Sequence, residues 1–295
     1  MLFTGACATS PSVAPGAPAA AATAHRVYDV AAGRYIGFDE LVARAADADV
    51  VFFGEQHGLQ PGHRLQFGLL QGLAAGGADA ALSMEMFERD VAPLVESYAA
   101  GTASLDELLA DARPWPRFAN DYQPQVDLTR TQGWPVIAAN VPRELASLVA
   151  REGLTALGSL DTGKRAHAAE DIRCPDDAYR TRFVEEIRRH PMGPPGTPEE
   201  DAAREQRYYE SQCVKDETMA ESIVRALRAA AAPRPIVHLT GAFHSDHGDG
   251  IPARVLRRVP GADIITLTVV SVENLRRADP TAHAARADYL LFVVH

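Results

Sequence analysis

Asp49-Val50-Val51-Phe52-Phe53-Gly54-Glu55-Gln56-His57 opens on five residues that read as a short buried strand and closes on a Gly-x-x-His turn. A helical stretch follows over about 61–73, with Leu65, Leu69, Leu70 and Leu73 on one face. Strand, loop and helix then recur along the chain. The apolar run 80–86 precedes a helical pattern at 90–100, and the run 135–139 precedes Pro142, which suits the first position of a helix because its missing N–H costs nothing there. The runs 235–240, 263–269 and 289–294 supply three further buried strands. Strands separated by helices imply an α/β fold with a mostly parallel sheet, because parallel neighbours need crossovers that cover both faces.

Between residues 152 and 234 no strand signal occurs. Helices are expected at 177–189 and 199–231, as a helical insertion or subdomain over the C-terminal edge of the sheet, where lids carry ligand contacts. The body thus spans 25–295 as one α/β domain. Residues 1–24 are Ala, Pro, Ser and Thr with nothing to form a core, a disordered leader. Leu2-Phe3-Thr4-Gly5-Ala6 before Cys7 also reads as the remnant of a lipoprotein signal, which would make Cys7 a lipid anchor to a bacterial envelope and the following residues its tether. No other run reaches the roughly 18 apolar residues that span a bilayer.

The 295 residues are 46% hydrophobic, enough to bury a full core. A formal net charge of −10 argues against nucleic acid as a partner, since phosphate neutralisation needs a surplus of Lys and Arg. Local arginines such as Arg180, Arg182, Arg188 and Arg189 remain able to hold a carboxylate ligand. Three cysteines are too few for a disulfide scaffold, although Cys174 and Cys213 can pair in an oxidising compartment.

Chemistry concentrates in three places. Gly54-Glu55-Gln56-His57 follows the first buried strand, and Gly241-Ala242-Phe243-His244 repeats the turn after another. In an open α/β sheet ligands bind outside the carboxyl ends of strands, so His57 and His244 share one rim if their strands are neighbours; otherwise each is an exposed loop histidine. Glu85, at the end of the run 80–86, is a charge among apolar residues and needs a partner. Arg89, four residues on, is the natural candidate, as a site pair or as a plain structural ion pair. The third place is the helix around Arg207-Tyr208-Tyr209-Glu210-Ser211-Gln212-Cys213, where Tyr209, Gln212, Cys213 and Asp216 share a face that becomes apolar at Ala220, Ile223 and Leu227. A polar end on such a stripe suggests a cavity, the other reading being a core tyrosine with its hydroxyl bonded.

The Val51–His57 segment, Glu85-Met86-Phe87, the helix carrying Tyr209-x-x-Gln212 and Asp216-Glu217-Thr218-Met219-Ala220, and Gly241-x-x-His244, in that order, resemble the ChaN haem-binding uptake family. That family lies within a superfamily that includes the Tiki metalloproteases and the TraB-like and erythromycin-esterase-like proteins. The resemblance, over roughly 26–269, implies a surface lipoprotein of the cell envelope serving haem or iron uptake, a carrier and not an enzyme. It implies haem at a homodimer interface with a tyrosine axial ligand, carried over to Tyr209, with Tyr208 as competitor and Gln212 and Arg207 beside it. A phenolate is a hard anionic donor that favours ferric haem, and Arg204 or Arg207 would pair the propionates or help the phenol to ionise. Among the wider relatives the rim residues imply the alternative, a metal-dependent hydrolase or peptidase. There His57, His244, Glu55 and Glu85 would hold a divalent metal ion and Arg89 would steady a carboxylate or oxyanion.

Overall fold

A computed structural model describes residues 23–190 and 196–295; Cys7 and the expected leader lie almost wholly outside the described residues. Eight strands, β1 (His25–Asp29), β2 (Arg34–Ile36), β3 (Val50–Glu55), β4 (Ala81–Glu88), β5 (Val136–Asn140), β6 (Ile236–Gly241), β7 (Ile264–Val272) and β8 (Tyr289–Val294), form one sheet in the order β2-β1-β8-β7-β3-β6-β4-β5. From β8 to β5 every neighbouring pair is parallel. The fold is therefore α/β with a mostly parallel, helix-covered sheet. The expected strands are all present. The antiparallel hairpin β1–β2, which carries the sheet edge beyond β8, was not foreseen, because His25-Arg26-Val27-Tyr28-Asp29 mixes charge with a short apolar alternation.

Parallel strands with both faces covered must be apolar on both, and β3 is buried at all six positions. Its side chains divide by the two-residue period of a strand. Val51 and Phe53 enter a core with Leu65, Leu69, Leu70 and Leu73 of the Gln60–Ala75 helix. Val50 and Phe52 enter the opposite core with Met219, Ala220, Ile223, Val224 and Leu227. Full burial of each such large side chain contributes about 1.5–3 kcal/mol.

Those last five residues belong to the long helix Pro198–Leu227. It begins in a capping box, with Thr197 accepting from the Glu200 N–H and Glu200 accepting from the Thr197 N–H. Its C-terminal half covers the sheet, so part of the 152–234 segment is core. Its middle turns meet the C-terminal ends of the strands, since Gln212 and Asp216 both contact His244 beyond β6. The Ala178–Arg189 helix, capped by Asp177, packs on the long helix through Tyr179 and Phe183. The Arg143–Glu152 helix follows β5, with Pro142 at the cap, one position before the expected one. Among the described residues no helix is long and apolar enough to cross a membrane.

Candidate functional site

β3, β6 and β4 are adjacent and parallel, so the residues that follow them meet at one rim. The two Gly-x-x-His turns interlock there. A Cβ on Gly54 would lie 3.0 Å from the Ala242 Cα and 2.8 Å from the Ser245 Oγ, and one on Gly241 would lie 2.8 Å from the His57 Nε2. Each turn needs its glycine because the other turn occupies the space a side chain would take.

On the β3 side Glu55 is a buried carboxylate with four donors around it. Oε1 accepts from His57 Nδ1 at 2.8 Å and from the Tyr122 hydroxyl at 2.6 Å; Oε2 accepts from Gln66 Nε2 at 2.5 Å, with His63 Nδ1 at 3.4 Å. Burial opposes its charge, yet the hydrogen bonds from His57 and His63 outweigh that and hold its pKa down to about 2. An ionised carboxylate only accepts, so His57 carries its proton on Nδ1 when neutral and turns Nε2 toward Gly241. The hydrogen bond to Glu55 raises the His57 pKa. Trp115 holds the ring edge-on at 5.0 Å between centroids.

On the β4 and β6 side Glu85 Oε2 accepts from Thr240 Oγ1 and from the Gly241 N–H, both at 2.8 Å, and Oε1 lies 3.5 Å from His244 Nε2. His244 Nδ1 is 2.5 Å from Asp216 Oδ1, a fully buried carboxylate on the long helix that also faces Arg254 at 3.7 Å. Gln212 Nε2 donates to the Tyr179 hydroxyl at 3.0 Å and lies 3.2 Å from His244 Nδ1. Burial disfavours a charged imidazole, but Glu85 and Asp216 on either side raise His244 to about 10. Glu85, although buried, is held well below the usual carboxylate range by His244 and His57. The result is an imidazolium between two carboxylates.

Glu55, His57, Glu85 and His244 therefore come together. Arg89 does not join them. It donates to Glu221 Oε1 at 3.0 Å, to Ser222 Oγ at 2.8 Å and to the Thr218 carbonyl at 2.7 Å, tying the end of β4 to the long helix. The expected pair with Glu85 presumed helical spacing, whereas four residues along a strand span about 13 Å. The carboxylates and imidazoles spend their polar atoms on one another, and among the described residues no group of three or more His, Cys, Asp or Glu is disposed to hold a metal ion. Gln66, His63, Tyr122, Tyr179 and Arg254 escaped the sequence reading. For His63 and Gln66 the available signal was two polar side chains on the buried face of the Gln60–Ala75 helix.

A cavity of about 530 Å³ opens beside this rim, lined by His57, Glu85, Trp115, Val141, Ala146, Ala150, Phe183 and Gln212, and by Tyr208, Lys215 and Arg143 at its ends. A second hollow of about 360 Å³ lies on the far side of His57, Phe183, Gln212 and His244, which wall both. Of the two adjacent tyrosines Tyr208 lines the cavity and Tyr209 does not. The Tyr209 side chain is buried among Tyr179, Phe183 and Phe243, and its hydroxyl donates to the Pro175 carbonyl at 2.7 Å. Burial also raises its pKa, so its phenolate is disfavoured. Adjacent residues on a helix point about 100° apart, and the packing of the Ala178–Arg189 helix took the face that carries Tyr209. Arg207 approaches Gly153 outside the cavity lining, with its Nε buried and unbonded. Arg204 is paired with Asp201, and the arginines of the Ala178–Arg189 helix are engaged as well: Arg180 with Asp176, Arg182 with Asp249, Arg188 with Glu205 and Arg189 with Glu186. Cys174 and Cys213 are both free thiols.

The cavity suits a ligand that has both apolar surface and a centre seeking an oxygen donor, and its lining also includes the acids Glu85 and Glu88. It offers aromatic and aliphatic walls, one phenol, and two cations, in a volume within the range of about 300–1,000 Å³ usual for cofactor sites.

The fold is similar to that of ChaN from Campylobacter jejuni, solved in a structure of cofacial haem binding to that protein, with a TM-score of 0.67 and 16% identity over 91% of this chain and 96% of that one. More distant likenesses are a protein from Bacillus cereus (TM-score 0.47, 10% identity, 88% of this chain and 92% of that one) and an erythromycin esterase in its open conformation (0.44, 15%, 79% and 72%). No curated protein matches the sequence. The model of the family described as haem-binding uptake, Tiki superfamily, ChaN matches residues 41–255, well over half of the sequence, and the chain belongs to that family.

Proposed function

We propose that the protein binds ferric haem in the 530 Å³ cavity, where the Tyr208 phenol would hold the iron, and serves haem or iron uptake at the cell envelope. One observation carries the choice of ligand. Of the two adjacent tyrosines, Tyr208 faces the cavity and Tyr209 is sealed behind it with its hydroxyl committed to Pro175. Bound haem supplies a Lewis-acidic iron that a phenolate holds in the ferric state. The chain's own part is to present the phenol, to exclude water with Trp115, Val141, Ala146 and Phe183, and to keep the buried carboxylates neutralised by His57 and His244. Membership of a haem-binding family and the likeness to the Campylobacter jejuni fold support this reading.

The hydrolase alternative rests on the same rim and has less behind it, because Glu55 and Glu85 already accept hydrogen bonds at both oxygens or at the better placed one. The test is titration of the apo-protein with ferric haem. The parent should develop a tyrosinate-type visible spectrum, Tyr208→Phe should lose it, and Tyr209→Phe should keep it. Loss in Tyr209→Phe with retention in Tyr208→Phe sinks the assignment. A haem-bearing homodimer, which the family resemblance implies, should elute larger with haem than without. Attachment through a lipid on Cys7 would show as an acyl adduct in the mass of protein recovered from bacterial envelopes.

A further inference from the structure

The segment that leads into the Ala178–Arg189 helix lies antiparallel along the long helix in a fixed register. The Glu170 N–H donates to Glu221 Oε2 at 2.9 Å, the Arg173 N–H donates to Glu217 Oε1 at 3.4 Å, and the Pro175 carbonyl accepts from the Tyr209 hydroxyl at 2.7 Å. As the segment advances, its partners step back along the helix in whole turns. Cys174 stands between the last two anchors, and the turn left between Glu217 and Tyr209 is the one that carries Cys213. The two thiols meet there. Cys174 packs on the cluster of Tyr179, Tyr209 and Cys213, within hydrogen-bonding reach of the Cys213 thiol. Cys213 is wholly buried, whereas Cys174 is partly exposed, and both are free. The cavity and its rim use neither.

The structure assigns Cys174 and Cys213 as a dithiol site that a disulfide-bearing oxidant converts into an internal disulfide, fastening the root of the Ala178–Arg189 helix to the long helix. Accessibility sets the order of events. Cys174, the exposed partner, loses its proton and attacks one sulfur of the oxidant; a mixed disulfide forms, and one thiolate leaves and takes up the proton. Burial holds the Cys213 thiol well above its ordinary range, so it does not react with the oxidant directly. It then gives up its proton and attacks the neighbouring Cys174 Sγ; the protein disulfide forms and the second thiolate leaves, protonated. Two protein thiols have lost two electrons, and one oxidant disulfide has become two thiols. The new bond lies three residues before Asp177, which caps the helix carrying Tyr179 and Phe183. Phe183 walls both hollows, so the bond steadies one side of the cavity without touching its lining. Nothing in this inference depends on haem.

The experiment treats the folded full chain with oxidised glutathione and maps its disulfides by mass spectrometry of peptides cut without reduction, in the parent and in Cys7→Ser, which removes the third thiol. Both should yield a linked Cys174–Cys213 peptide. Cys213→Ser should stop with glutathione joined to Cys174, and Cys174→Ser should take up glutathione at Cys213 only in urea. Oxidation should raise the Tm of the parent by about 5–10 °C, reversed by dithiothreitol, because the cross-link restricts the unfolded chain. It should also slow hydrogen exchange in the Ala178–Arg189 helix. The peptide map and the Tm need no variant that could fail to fold. Glutathione left on Cys174 of the parent without an internal link overturns the site, as does a pair that links in urea and not in the folded protein. A link from Cys7 to either thiol overturns the pairing. An internal link with unchanged Tm and unchanged exchange upholds the site and overturns the fastening.

Discussion

Two faces of the long helix, less than a quarter-turn apart in places, have opposite characters. One carries Tyr209, Cys213, Asp216 and Glu217, all buried, and each of its charged or hydroxyl side chains has a partner: the Tyr209 hydroxyl in Pro175, Asp216 in His244 through one oxygen, and Glu217 in Arg257 and Arg258. The other carries Tyr208, Ser211, Gln212 and Lys215, and lines the cavity. A buried polar group must be satisfied internally or it costs more than it contributes, so the first face became structure. The second face keeps Lys215, whose hydrogen-bonding capacity is not consumed among the described residues. Gln212 stands on the border, bonded to Tyr179 and still part of the wall.

Substitutions should respect that division. The largest effect is expected for Asp216→Ala, which leaves His244 and Arg254 buried without their shared counter-charge; a loss of about 3–5 kcal/mol in urea unfolding is expected, and a loss below 1 kcal/mol would show that the pair is not structural. The same pair sets a pH dependence. His244 has a folded pKa of about 10 against an ordinary value near 6.5, so its contribution is whole below pH 6.5 and is lost as pH rises toward 10. Unfolding free energy of the parent should fall across that window, and a flat profile from pH 6.5 to 10 would contradict the imidazolium between carboxylates.

Next comes Gly241→Ala, whose Cβ must displace the His57 ring at the meeting of the two turns. About 1–3 kcal/mol of stability should be lost, with a change in the His57 imidazole resonances by NMR; unchanged resonances would mean that the turns are not interlocked. Tyr209→Phe should cost about 0.5–1.5 kcal/mol for its lost hydrogen bond to Pro175. The smallest change in stability, within about 0.5 kcal/mol, is expected for Tyr208→Phe, the substitution that should do most to the haem spectrum. A large destabilisation by Tyr208→Phe would erase the contrast between the faces.

Much of the scaffold was legible because its signals are local. Short apolar runs, two of them closed by glycine, gave six strands, and leucines at helical spacing gave the Gln60–Ala75 helix. The edge hairpin β1–β2 was not, since its pairing with β8 joins residues at opposite ends of the chain. At the site the two Gly-x-x-His turns were conspicuous in sequence, but the reason for their glycines was hidden. Each glycine answers to a residue of the other turn, nearly 190 positions away. Arg89 misled for the opposite reason, as proximity along the chain suggested Glu85 while the fold delivered Glu221.

The sequence by itself determined which strands exist, that helices cover them, and that the acid and imidazole groups stand at strand ends, because hydrophobic period and turn chemistry are properties of neighbouring residues. Only the tertiary structure decided that β6 lies between β3 and β4, and so that His57 and His244 share a rim. It also decided which of two consecutive tyrosines meets the cavity. A helix presents every face equally until something packs on one of them, and here the Ala178–Arg189 helix covered Tyr209 and left Tyr208.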